Sequence, residues 1–266
     1  MKLMDINLTG KKAFVCGSTQ GIGRAAAVEL ANLGASVVLL ARNEDSLRQV
    51  KNELKQSQNQ QHDFIVADFS KPNELKNKVG EYLENNNQPV HILINNTGGP
   101  PAGQAIDAQL QEFIKAFQTH LICNQILTQM LCGRMKAEGY GRIINVISTS
   151  VKQPIQNLGV SNTVRGAVAS WAKTLASELG EFGITVNNVL PGFTQTQRLQ
   201  TIIENKANQT GISIEQAAEE MKGETPAKRF AEASEVANAI AFLASPAASY
   251  INGINLPVDG GRTGCL

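Results

Sequence analysis

Three glycines fall within seven residues at Gly17-Ser18-Thr19-Gln20-Gly21-Ile22-Gly23. Glycine permits a tight turn and lets backbone N–H groups approach an anion closely. Placed between a strand and a helix, such a turn adds the helix dipole and becomes a pyrophosphate cradle. A strand pattern at residues 13–16 and a helical pattern at 22–33 supply that context here. A second informative position lies at the end of the next strand. An acidic residue there would accept hydrogen bonds from the ribose 2′-hydroxyl of NAD. This chain has Ala41 and Arg42 instead. A guanidinium fork suits a 2′-phosphate, and the Thr19 hydroxyl is placed to add a bond. The pair favours NADP, with NAD as the alternative if Arg42 is only a solvated residue at a helix start.

The elements that must hold these residues alternate along the whole chain. Strand patterns at 37–40, 63–67, 91–95, 142–147, 185–189 and 254–258 are separated by helical patterns. The helices are read at 44–55, 72–84, up to about 138, near 162–182 and at 234–243. Continuous apolar strands between helices mean a parallel sheet covered on both faces. The expected fold is α/β, a Rossmann-type doubly wound sheet with seven parallel strands, formed as one domain over residues 1–266. Residues 194–226 are long, rich in Gln and Glu, and follow a strand's carboxyl end. Ligands of open α/β sheets bind at that edge, so this segment is read as a substrate lid, or else as a plain helical insertion.

The glycine spacing resembles that of the short-chain dehydrogenase/reductase family. The likeness continues in order along the chain. Asp68 follows the third strand, and Asn95-Asn96-Thr97-Gly98 is similar to the family's Asn-Asn-Ala-Gly. Pro191-Gly192 with Thr196 resembles the nicotinamide-side loop, and Pro226-Ala-Lys-Arg-Phe and Val258-Asp-Gly-Gly261 resemble its C-terminal region. The resemblance implies cofactor contacts from the glycine turn, from Arg42, and from Asp68 and Phe69. It adds Asn95, Thr97, Gly98 and Arg165, then Pro191, Gly192, Thr194 and Thr196. It also implies a homodimer or homotetramer paired through the helices ending near residues 138 and 182. Phe113, Phe117, Leu121 and Leu131 form an apolar stripe on the first, read here as needed for the core.

The same resemblance implies four catalytic residues: Asn, Ser, Tyr and Lys. The serine is Ser148, at the end of Ile143-Ile-Asn-Val-Ile. Where the tyrosine and lysine belong, the chain reads Ser161-Asn-Thr-Val-Arg165, and His120 takes the asparagine position. A serine hydroxyl is a far weaker acid than a phenol and cannot serve as general acid at neutral pH in the same way. Arginine can hold ribose or an oxyanion but does not readily release a proton. Histidine can, so His120 is the candidate proton donor, with a structural histidine at a helix break as the other reading.

Three functions remain open. One is an NADP-dependent oxidoreductase acting on a carbonyl or alcohol, with a non-standard proton donor. Another is an NADP(H)-binding scaffold without turnover. The third is a non-redox lyase or isomerase. Hydrolysis is a poor fit, because Val146-Ile-Ser148-Thr-Ser lacks the glycines of a nucleophile elbow. The formal net charge of +1 gives no reason to expect nucleic acid or an anionic membrane as partner. The four cysteines contain no Cys-x-x-Cys pair, so neither a metal site nor a disulfide framework is expected. Reduced thiols, and no apolar leader or membrane-length run, make the cytoplasm the expected location.

Overall fold

Seven strands pair in parallel in the order β3-β2-β1-β4-β5-β6-β7 in the computed structural model, which describes residues 4–265. β1 (Lys12–Cys16), β2 (Ser36–Ala41) and β3 (Asp63–Val66) form one half. β4 (Ile92–Asn95), β5 (Gly141–Val146), β6 (Ile184–Pro191) and β7 (Asn255–Val258) form the other. This is the expected seven-stranded sheet. Its alternation sorts the core into two layers. Ala13, Val15, Val37 and Leu39 face α1 (Gly21–Asn32), α2 (Glu44–Glu53) and, later in the chain, Ala233–Ala244. Phe14, Cys16, Val38 and Leu40 face the opposite layer. That layer holds α3 (Pro72–Asn85), α5 (Cys123–Ala137) and α6 (Gly159–Leu179).

The long helical region before residue 138 is broken. α4 (Leu110–Phe117) passes into α5 through one π-helical turn at Gln118–Ile122, which carries His120. Extra residues in a helical turn re-aim side chains, and such turns are frequent at functional sites. The apolar stripe expected to serve the core divides at this point. Leu131 is buried in the core, whereas Phe117 is 41% exposed and, with Ile114, borders a groove against Thr163, Val164 and Ala167 of α6.

Residues 194–226 fold as two helices, α7 (Gln197–Thr210) and α8 (Ile214–Gly223), followed by α9 (Ala233–Ala244). α7 and α8 have an apolar cluster of their own, with Leu199, Ile203, Ala217 and Met221 closed by Phe230. Thr196 caps α7 by accepting from the Leu199 amide, and Gly211 ends it in the left-handed conformation. The segment is thus a self-packed unit above the sheet edge. No helix among the described residues is long and apolar enough to cross a membrane.

An uncommon polar row crosses one half of the sheet. Asn95, Asn145, Asn188 and Asn255 are paired across β4, β5, β6 and β7. The first three each donate their amide to the next carboxamide oxygen, at 2.9, 2.9 and 2.8 Å, and Asn255 ends the row as acceptor.

Candidate functional site

The glycine turn links β1 to α1 at the carboxyl edge of the sheet. Gly17 and Gly21 adopt φ of +58° and +53°, which side chains disfavour. A β-carbon on Gly23 would overlap the Gly17 carbonyl oxygen and stand 2.6 Å from Asn96 Nδ2. Asn96 explains that crowding: its Nδ2 donates to the carbonyls of Cys16 and Gly17 at 3.2 and 3.3 Å, lashing the turn to the loop after β4. Gln20, at the α1 N-cap, provides no side-chain cap, so the first amides of α1 have no protein side chain to receive them. Narrow backbone approach and free helix amides fit a pyrophosphate. Thr196 closes the far side, since a β-carbon on Gly21 would stand 3.1 Å from its methyl.

The other predicted cofactor residues divide by where their side chains point. Arg42 is exposed beyond β2, while Thr19 is half-buried and Gln20 exposed. Asp68 lies close enough to feel the Arg42 charge; burial raises its carboxyl, but hydrogen bonds from Ser70 and the charges of Arg42 and Lys71 hold it below its ordinary value. Four of these positions turn their side chains away from the sheet edge. Ser18 is fully buried, with its hydroxyl on the Leu40 carbonyl. Phe69 is packed into the core below the sheet. Asn95 is spent on the asparagine row. Ile22 packs on the upper core. Their side chains face the protein interior, which leaves only main-chain atoms of these positions for a ligand. Thr194 is also buried, donating to the Gly192 carbonyl at 3.1 Å, and Gly192 itself packs against Asp259. Pro191 ends β6, and Gly98 is exposed after β4.

Ser148, His120 and Arg165 gather at the same edge from three elements. Ser148 follows β5 and accepts from the Ser150 amide at 3.1 Å, which leaves its hydroxyl proton free to donate. His120 Nδ1 meets Thr97 Oγ1 at 2.7 Å, so the Thr97 hydroxyl holds the histidine. Arg165 projects from α6 and donates from Nη1 to the Val146 carbonyl at 3.1 Å. Ser161 is half-buried one turn earlier. Arg198, at the start of α7, donates to the Pro100 carbonyl at 2.9 Å, joining α7 to the loop after β4. Sequence reasoning placed Asn96 in a motif without seeing that it ties down the glycine turn, and it missed Arg198, which stands in no recognisable spacing.

Burial, reinforced by the Arg165 charge, pushes His120 down to about 2. Burial thus disfavours the imidazolium form of the candidate proton donor His120. Arg165 is lowered to about 10 by burial and then by Arg198, and stays charged at neutral pH.

The His120 shift has a measurable sign. Its folded pKa lies below the unfolded value of ~6.5, so below pH ~6.5 only the unfolded chain takes up the proton. Stability therefore falls as pH falls through that value, by about 1.4 kcal/mol per pH unit for this ring. Urea unfolding at pH 7 and pH 5 should show the wild type losing about 2 kcal/mol more than His120→Gln. His62 and His91, also lowered by burial, act equally in both proteins. Equal losses would show that the ring is not held neutral.

Comparison with known proteins agrees with this geometry. A family model described as enoyl-(acyl carrier protein) reductase matches residues 17–263. The chain is 29% identical to the NADPH-dependent reductase BacG of Bacillus subtilis, over 96% of this chain and 98% of that protein. It is 31% identical to a putative ketoacyl reductase of Streptomyces coelicolor, covering 94% and 95%. Among solved structures, the L-sorbose reductase of Gluconobacter frateurii with NADPH and L-sorbose superposes with a TM-score of 0.91 at 30% identity, covering 99% and 100%. With the seven-stranded parallel sheet, the glycine turn and a match over nearly its full length, the chain belongs to the short-chain dehydrogenase/reductase family.

Proposed function

We propose that the protein is an NADPH-dependent reductase of a small carbonyl compound in which Ser148 and Arg165 hold the substrate oxygen without a tyrosine. The observation that carries this reading is a charged, buried Arg165 at the edge that also bears the uncapped glycine turn. The NADPH named for similar proteins supports the cofactor choice, as does Arg42. When bound, the reduced nicotinamide supplies the hydride. Ser148 donates its free hydroxyl proton as a hydrogen bond and orients the oxygen. Arg165 stabilises the oxyanion that develops there and keeps its own protons. Thr97 and neutral His120 form the wall beside Arg165, and water delivers the final proton. α7 and α8 act as the lid that limits water to that one route.

The low pKa of His120 and the serine at position 161 favour a second reading, a cofactor-binding protein with no turnover. One set of titrations separates the two. NADPH should bind at least about tenfold more tightly than NADH, and Arg42→Ala should erase that difference by weakening NADPH alone. Consumption of NADPH with some member of a carbonyl panel supports the reductase. Tight NADPH binding with no consumption supports the scaffold, and a preference for NADH would overturn the cofactor assignment.

A further inference from the structure

Arg165 is 7% exposed, yet its charge has no counterpart. Nη1 uses the Val146 carbonyl, and Nε has no hydrogen-bond partner. Among the described residues no carboxylate lies within ion-pair distance of it, whereas Arg24, Arg48, Arg229 and Arg262 each pair with a glutamate. Arg142 is the useful contrast. It is equally buried without a carboxylate, but three carbonyls, of Gly141, Gly183 and Ser245, receive its N–H groups. Arg142 is thus satisfied by the fold, and Arg165 is not.

A buried cation without a partner is costly, and folds retain one where a ligand completes it. The unmatched part of Arg165 is its Nε–Nη2 edge, where Nε is closed to solvent and Nη2 is the group a carboxylate oxygen can reach. This edge borders the loop after β4: a β-carbon on Gly99 would stand 3.7 Å from Nη2. Arg198 reaches the next residue of that loop from the lid, on the Pro100 carbonyl, so a second cation flanks the same wall. The phosphates of a dinucleotide have their own positions, at the glycine turn and at Arg42. They do not answer the charge at Arg165, and the ribose hydroxyls that the family resemblance places beside it are neutral.

We infer that the substrate carries a carboxylate next to its reacting carbonyl, received by Arg165 and flanked by Arg198, which makes 2-oxo acids the substrate class. The inference rests on the reductase reading and narrows it. A planar monoanion matches one free guanidinium edge, and a dianionic phosphate would leave acceptor oxygens unmet there.

The test uses two probes that differ only by carboxylate for methyl, benzoylformate and acetophenone. Each is titrated calorimetrically into the whole protein saturated with NADP+, where no reduction can occur. Benzoylformate is expected to bind at least about tenfold more tightly than acetophenone. Arg165→Gln should remove that advantage, Arg165→Lys should retain part of it, and Arg198→Gln, at an exposed position, should reduce it several-fold. Acetophenone, which offers Arg165 only its carbonyl oxygen, should weaken less than benzoylformate in Arg165→Gln and should be unchanged in Arg198→Gln. Equal binding of the two probes by the wild type overturns the inference, and so does an unchanged preference in both glutamine variants. The same samples report NADP+ affinity. If NADP+ binds and the probes are not distinguished, only the carboxylate inference fails. If NADP+ does not bind, the reductase reading fails and takes the inference with it.

Discussion

Gly23→Ala is expected to weaken NADPH binding by roughly a hundredfold and to cost about 3 kcal/mol of stability. The added methyl meets a backbone oxygen, that of Gly17, and the Asn96 amide. Neither is the loose end of a flexible side chain. To make room, the first turn of α1 must move away from the glycine turn, and the amides that would meet the pyrophosphate move with it. Asn96 then loses its hold on Cys16 and Gly17, which also loosens the loop carrying Thr97. The proper control is Gly133→Ala, within α5, where a β-carbon meets nothing within 4 Å. That change should leave binding intact and add a few tenths to about 1 kcal/mol of stability, because alanine is the better helix former. Circular dichroism melts with an NADPH titration on each variant provide the check. Normal NADPH affinity in Gly23→Ala would mean that the turn is not the pyrophosphate site.

Asn145→Leu should lower stability by about 3–4 kcal/mol, a fall in melting temperature of roughly 10 °C for a chain of this size. Leucine has the same branching and the same number of side-chain heavy atoms, so the lost hydrogen bonds are the main change. The substitution breaks the row in its middle, stranding a donor on Asn95 and an acceptor on Asn188 in the dry interior of the sheet. Asn95 Oδ1 already has no partner, so that residue would lose its one side-chain bond. Asn255 is the comparison, because it stands at the end of the row on the half-buried strand β7. Asn255→Leu strands only the Asn188 amide, near solvent, and should cost about 1 kcal/mol. Thermal melts of the two variants decide it. Equal losses would show that the row contributes no more than four separate side chains.

The sheet was legible in the sequence because each strand is an apolar run of its own, with helix-length segments between. The glycine turn was legible for a related reason: its meaning lies in local spacing and in the strand and helix on either side. What local spacing does not reveal is which way a side chain faces. Ser18, Phe69 and Asn95 sit at positions a cofactor could reach, but the pleat and the local turns direct their side chains inward. The asparagine row was hidden for the same reason. Its members are scattered from residue 95 to residue 255, and only the pairing register brings them opposite one another. His120 shows a third kind of limit. Its type suggested an acid, but its behaviour is set by burial and by Arg165, which comes from a different helix. Phe117 failed in the opposite direction: helical spacing suggested core, and the π-helical turn beside it leaves the ring at the surface.

The unfilled N-cap of α1 links the protein's upkeep to metabolism. A serine or aspartate in place of Gln20 would typically hold that helix end by about 1 kcal/mol on its own. A nucleotide bound at that turn would supply the acceptor instead, and its stabilisation would grow with the logarithm of its concentration. A cell rich in that nucleotide keeps the helix end closed and the chain resistant to proteases. A depleted cell leaves the same end frayed and open to turnover. Steady-state abundance is then expected to rise and fall with cofactor supply.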